Sequence, residues 1–163
     1  LNIKPFKYLN KIVSSTKIRN YLKSGNIRLA NKLLSRTWSI EGQVIKGKKI
    51  GRKLGYRTCN ISIKNYLLPK FGIYAVKVSI GSNKKIHGGI AYLGSRPTFN
   101  GKNILLEINI LGINKNLYKK KLKIYFLKFI RNDKKFKNSS QLVTQMNKDL
   151  ILTKKALKEK LVL

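Results

Sequence analysis

Five short runs rich in Ile, Val, Tyr and Phe constrain this chain most: Trp38 to Ile45, Gly72 to Ile80, Lys85 to Leu93, Asn103 to Leu111 and Leu122 to Ile130. β-branched and aromatic side chains suit a pleated, half-buried surface, and clusters of Gly, Asn, Ser or Pro separate the runs as turns would. No helix-length pattern lies between them, which argues against βαβ units and a parallel sheet. A sheet of consecutive short strands must still hide one face and manage its edges, so an antiparallel sheet closed into a barrel is the economical fold. Alternation within the runs does not decide which face points inward.

Helical patterns flank this β region. Residues 1–36 read as helical. Ser15 or Thr16 can cap a helix carrying Ile18 and Leu22, and Gly25 ends it in the left-handed position. A second short helix follows, with Ile27, Ala30, Leu33 and Leu34 on one face. The chain closes with an amphipathic helix over about residues 139–160, whose apolar stripe is Leu142, Val143, Met146, Leu150, Leu157 and Leu161. Asn138 with Gln141 forms a capping-box pattern at its start. No internal repeat is visible.

Charge brings in composition. The 163 residues hold 37 Lys and Arg against 5 Asp and Glu, a net charge of +32, while 42% are hydrophobic. The hydrophobic share marks a globular chain; the charge invites a nucleic-acid partner. How the charge is made argues otherwise. Lys outnumbers Arg 30 to 7, and 20 Ile and 16 Asn stand against 4 Ala, a bias of AT-rich codons. Nucleic-acid readers lean on Arg for bidentate contacts, and here the lysines scatter from Lys4 to Lys160 with no aromatic clustering. A basic barrel that binds nucleic acid is therefore the alternative reading, and no specific nucleic-acid partner is expected.

A single cysteine, Cys59, precludes an internal disulfide and fits a reducing, cytoplasmic setting. No apolar run approaches the roughly 18 residues that would span a bilayer, so no membrane partner is expected. The chain opens on Leu1, which suggests the tail of something longer.

The stretch Gly51 to Asn60 carries the chemistry. Two glycines, an arginine, a threonine hydroxyl and an asparagine amide fall within ten residues. Glycine lets backbone approach a ligand closely, successive N–H groups can cradle phosphate, and Thr and Asn oxygens are hard ligands suited to Mg²⁺. The spacing fits neither the Walker loop nor the dinucleotide fingerprint, so on its own it is a tight turn that can meet phosphate. Glu107 stands out separately. It is one of only five carboxylates, set inside the apolar run Ile104 to Leu111, where it must face solvent, pair with a cation or serve a cleft.

Gly51-Arg52-Lys53-Leu54-Gly55-Tyr56-Arg57-Thr58-Cys59-Asn60 resembles the flap of riboflavin kinases, G-R-x-L-G-[FY]-P-T-A-N. Leu68 to Val76 resembles that family's L-P-x-x-G-V-Y-A-V entry, Gly89 to Phe99 its G-V-A-N-I-G-x-R-P-T-F segment, and Leu106 to Leu111 its L-E-V-H-L-L strand. Ile130 to Phe136 resembles the segment before the last helix. Ser14-Ser15-Thr16-Lys17-Ile18-Arg19 is similar to the last phosphate-contacting motif of FMN adenylyltransferase, the other half of the bacterial bifunctional enzyme.

The resemblance implies a mainly β protein: a six-stranded, Greek-key-like antiparallel barrel with a C-terminal helix over residues 38–163. Residues 1–37 would be short helices forming the end of an adenylyltransferase domain. It implies an ATP:riboflavin phosphotransferase making FMN, with ATP as co-substrate and Mg²⁺ as cofactor. Glu107 would be the base. Gly51, Arg52, Gly55 and Thr58 would hold the nucleotide, and Thr58 and Asn60 the metal. Ser14, Ser15, Thr16 and Arg19 would serve adenylyl transfer only with the rest of that domain; alone they read as a helix cap and first turn. Arg96-Pro97 reads as a rigid turn or a site-lining pair, Arg131 as a solvated end-of-strand charge, His87 as an ordinary strand residue and Cys59 as a small packing residue. Four residues depart from the family pattern, none of them in the Thr58, Asn60 and Glu107 set: Arg57 for proline, Tyr92 for asparagine, Asn109 for histidine and Gly112 for aspartate. Losing proline removes a fixed φ from the flap.

Overall fold

The computed structural model describes residues 6–47, 51, 54–63, 65–82, 85–98 and 101–159. Six strands close into an antiparallel barrel: β3 (Ser39–Ile45), β4 (Cys59–Ile61), β5 (Gly72–Ile80), β6 (Ile86–Thr98), β7 (Gly101–Ile110) and β8 (Lys121–Arg131). The order around the barrel is β3-β4-β7-β6-β5-β8. β5, β6 and β7 form a meander, and β4 pairs with β7 at its far edge, which makes the expected Greek-key crossover. Arg96 and Pro97 belong to β6, opposite Asn103 and Lys102, so the expected turn comes after them.

Inward side chains fill the barrel completely. Ile40, Val76, Val78, Leu93, Leu106, Ile108, Leu122, Ile124 and Phe126 are all at or near zero exposure. Each such aliphatic side chain contributes roughly 1.5–3 kcal/mol on leaving water, so this interior is a packed core with no room for a ligand. One end is closed by aromatic edges: Trp38 and Tyr74 each meet Phe126 at 5.0 Å between ring centroids. The Tyr74 hydroxyl donates to the Lys70 carbonyl.

Two helices cover that end. In α1 (Ser15–Ser24) the cap is Ser14, whose hydroxyl accepts from the Lys17 N–H, one position earlier than expected; Gly25 ends the helix at φ +82°. α2 (Ile27–Leu34) buries Ile27, Ala30 and Leu33. Asn31 ties it to the barrel, donating to the Phe126 carbonyl at 2.8 Å and accepting from the Trp38 N–H at 2.8 Å. The first residues are not all helical as expected. β1 (Lys7–Tyr8) and β2 (Lys11–Ile12) form a small hairpin turned through Leu9 and Asn10, both at positive φ.

The C-terminal helix, α3 (Ser139–Lys158), lies outside the barrel against β5, β6 and β8. The Asn138 side chain caps it, accepting from the Gln141 N–H at 2.9 Å, while Gln141 accepts from the Lys137 N–H. The expected apolar stripe is not its buried spine, because Asp149, Thr153 and Ala156 are the buried residues. Leu161 lies outside the described residues. Among those described, no helix is long and apolar enough to cross a membrane.

Candidate active site

Strand register creates the site. Ile73 on β5 faces Tyr92 on β6, Tyr92 faces Glu107 on β7, Glu107 faces Asn60 on β4, and Asn60 faces Ile45 on β3. Directly opposed residues in antiparallel strands project to the same side with Cβ atoms roughly 5 Å apart. These five side chains therefore form one row across the outer barrel wall, since their neighbours Leu106, Ile108, Ile61 and Val44 point into the core. Glu107 thus leaves the core exactly where period-two alternation turns it outward.

That row runs from one cavity into another. The first, about 280 Å³, lies between the barrel wall, α3 and the flap. Leu54, Tyr56, Ile90, Phe136, Leu142 and Met146 give it apolar and aromatic walls, and Glu107, Asp133 and Asp149 supply its carboxylates. Three of the five acidic residues in a chain of net charge +32 therefore line a single cavity. The second, about 500 Å³, lies between the ends of β3 and β4 and the turn after β7. Lys46, Arg57 and Lys115 line it, with no carboxylate among its lining residues. Thr58 and Asn60 line both. One cavity is walled largely by apolar and aromatic side chains, the other carries basic ones, and they meet at a hydroxyl and an amide.

The flap is the tight turn its glycines suggest. The N–H groups of Leu54 and Tyr56 both donate to the Gly51 carbonyl, at 3.1 and 2.9 Å. Tyr56 reaches α3, where its hydroxyl donates to Asn147 Oδ1 at 2.6 Å, so the flap roofs the apolar cavity. Gly51 lines that cavity, and a Cβ there would lie 3.1 Å from Thr58 Oγ1. At Gly47 a Cβ would occupy the place of the Asn60 side-chain amide. Both oxygen-bearing side chains are thus crowded by glycine backbone. Gly55 sits at the tip of the turn, exposed at φ +82°, and lines neither cavity. Arg52 lies outside the described residues.

Several residues singled out in the sequence have other duties. Arg131 is no solvated charge: its Nε and Nη2 grip Asp149 at 2.7–3.1 Å, with Asp149 almost fully buried and Gln145 donating to the same carboxylate at 3.0 Å. Its Nη1 donates to the Asn132 carbonyl, and the guanidinium stacks over Phe136. Arg131 therefore joins β8 to α3 and the 132–136 loop, two walls of the apolar cavity. Tyr92, from outside the expected site set, donates to Asp133 at 2.9 Å. Cys59 lies half-buried, its thiol within 3.4 Å of the Ile108 carbonyl, and burial pushes that thiol up to about 11. His87 is an ordinary β6 residue, and Ser14, Ser15, Thr16 and Arg19 line neither cavity.

The fold and site define a closed antiparallel barrel with an outer-wall carboxylate, Glu107, in an apolar cavity that meets a basic one at Thr58 and Asn60. A family model described as riboflavin kinase matches residues 34–157, and the chain belongs to that family. It is 44% identical over 158 residues to a bifunctional riboflavin kinase/FMN adenylyltransferase of Buchnera aphidicola subsp. Schizaphis graminum, covering 95% of this chain and 50% of the relative. The Bacillus subtilis enzyme of the same name is 37% identical, over 86% of this chain and 45% of its own. The chain spans about half the length of the curated relatives it matches. A crystal structure from Streptococcus pneumoniae, described as a macrolide-efflux protein, superposes with a TM-score of 0.86 at 32% identity, covering 93% of this chain and 50% of that one. Riboflavin kinase from Trypanosoma brucei superposes with a TM-score of 0.56 at 20% identity over 74% of this chain and 77% of its own, a likeness of fold alone.

Proposed function

We propose that this chain transfers the γ-phosphoryl group of ATP to the 5′-hydroxyl of riboflavin, giving FMN and ADP. The observation that carries the proposal is the continuous row Tyr92–Glu107–Asn60, which leads from the apolar cavity to the basic one across three paired strands. Phosphoryl transfer needs little covalent chemistry from the protein beyond positioning, charge neutralisation and an oriented acceptor hydroxyl. The basic cavity offers Lys46 and Lys115 to the nucleotide phosphates. The other cavity offers Tyr56, Tyr92 and Phe136 to the flat flavin ring. At the seam, Glu107 accepts the proton of the ribityl hydroxyl as that oxygen attacks phosphorus.

The seam also fits Mg²⁺. Mg²⁺ binds through hard oxygens and usually combines one or two protein ligands with substrate phosphates and water. Thr58 and Asn60 carry such oxygens, and Gly51 packs near the Thr58 hydroxyl and Gly47 against the Asn60 amide, where a Cβ would intrude. These two residues would hold the ion, which when bound neutralises charge on the transferred phosphate. Residues 1–37, with Ser14, Ser15, Thr16 and Arg19, fit the end of an adenylylating half that relatives of twice this length carry by name. A reaction that consumes ATP suits the cytoplasm.

The nucleic-acid alternative finds little support. Among the described residues, the exposed aromatics Phe6, Tyr66, Phe71 and Tyr118 come from three separate segments, which does not favour a stacking platform. The test is incubation of the purified chain with riboflavin, ATP and Mg²⁺, followed by chromatography. FMN is the expected product, and its absence would contradict the reading.

A further inference from the structure

We infer that Arg57 and Asn109 are positioning residues that set the distance between Thr58 and Glu107, an inference that rests on the kinase reading above. Asn60 needs no such help, because its ladder pairing fixes it opposite Glu107. Thr58 precedes β4 and has no ladder partner, and β4 itself is only three residues long. Side chains hold it instead. Asn109 Nδ2 donates to the Arg57 carbonyl at 2.8 Å, pinning the peptide group next to Thr58 to the strand that carries Glu107. Asn109 lies two residues beyond Glu107, on the same face of β7. From the other side, Arg57 Nη1 donates to the Asn114 carbonyl at 2.5 Å, fastening the segment to the turn that walls the basic cavity. One side chain ties the segment toward the proposed base, the other toward the proposed phosphate site. A non-proline residue at position 57 leaves φ free, and these two bonds restrict the segment without it.

The test compares Arg57→Ala, Arg57→Pro, Asn109→Ala and the Arg57→Ala/Asn109→Ala double variant. The readouts are kcat, KM for ATP and for riboflavin, calorimetric affinity for ADP with Mg²⁺, and the melting temperature. Each Ala variant should lower kcat/KM for ATP and weaken ADP binding about tenfold, which is about 1.4 kcal/mol. For Arg57→Ala, the riboflavin KM should stay within about twofold and the melting temperature within about 3 °C. The double variant should be little worse than either single, since both act on one segment. Arg57→Pro should recover to within about threefold of the parent, because a fixed φ replaces the tether. A parent that makes FMN while Arg57→Ala matches it would overturn this inference alone. So would an Arg57→Pro as impaired as Arg57→Ala, which would make the guanidinium a direct phosphate ligand, or strictly additive losses. A parent that makes no FMN would overturn the kinase reading, and this inference with it.

Discussion

Replacing Asp149 tests how the apolar cavity is built. Its carboxylate is 3% exposed and receives three contacts from Arg131, itself 20% exposed, and one from Gln145. Removing one partner of such a buried pair leaves the other charge uncompensated, at a cost of about 3–5 kcal/mol. The partly exposed guanidinium can recover some solvation, and it keeps Asn132 and Phe136, which places Asp149→Asn near the lower end, about 3 kcal/mol. For a domain of this size that is roughly 6–12 °C in melting temperature. Urea titration and calorimetry should agree on the loss. The riboflavin KM should rise more than the ATP KM, since α3 and the 132–136 loop wall the cavity proposed for the flavin. An Arg131→Met/Asp149→Leu double variant should be milder than Asp149→Asn alone, because no buried charge remains. A loss below about 1 kcal/mol for Asp149→Asn would refute the reasoning, for it would mean that the pair is solvated.

Gly47→Ala should push the Asn60 amide from its place and cut turnover more than about tenfold with the circular dichroism spectrum unchanged; steady-state kinetics at saturating riboflavin would register it. Cys59, held as a neutral thiol by burial, should react with a thiol reagent at pH 8 far more slowly in the native protein than in urea. The same shift carries a pH signature. The native thiol, at about 11, binds its proton above the pH where the unfolded thiol, at 9.0, releases it, so stability falls as pH rises from about 9 to about 11. Burial raises the Tyr74 hydroxyl as well, which adds loss at the alkaline end. Denaturant titrations across this range should show Cys59→Ala flattening the early part of the decline and leaving the later part.

The strand runs were legible because β-branched and aromatic side chains cluster between turn residues, and five of the six barrel strands fall where that pattern puts them. β4 was not, because its three residues sit inside a stretch whose glycines and Arg57 signal a turn; only the family resemblance implied a sixth strand. The N-terminal hairpin was hidden for a related reason, since Leu9 and Asn10 make its turn without glycine. In α3 the apolar pattern pointed to Leu142, Met146 and Leu150. The helix instead buries Asp149 and Thr153 and turns Leu142 and Met146 toward the apolar cavity. Arg131 misled in the same way, because its partner lies 18 residues away on another element. Thr58, Asn60 and Glu107 were picked out by residue type and resemblance; register pairs Asn60 with Glu107, and Thr58, just before β4, lines the same apolar cavity. The basic cavity was invisible in the sequence. Lys46, Arg57 and Lys115 come from three segments among 37 basic residues, and only folding separates them from the surface lysines.

The central claim is that Glu107 serves as the base at a seam between two substrates. The direct measurement is the rate of FMN formation by Glu107→Gln beside the parent chain, with riboflavin binding followed by quenching of flavin fluorescence. A positioned general base contributes about 10²–10⁴ in rate, so turnover should fall by at least a hundredfold while riboflavin affinity stays within a few-fold. Turnover near the parent rate in a Glu107→Gln protein that still binds riboflavin would contradict the account.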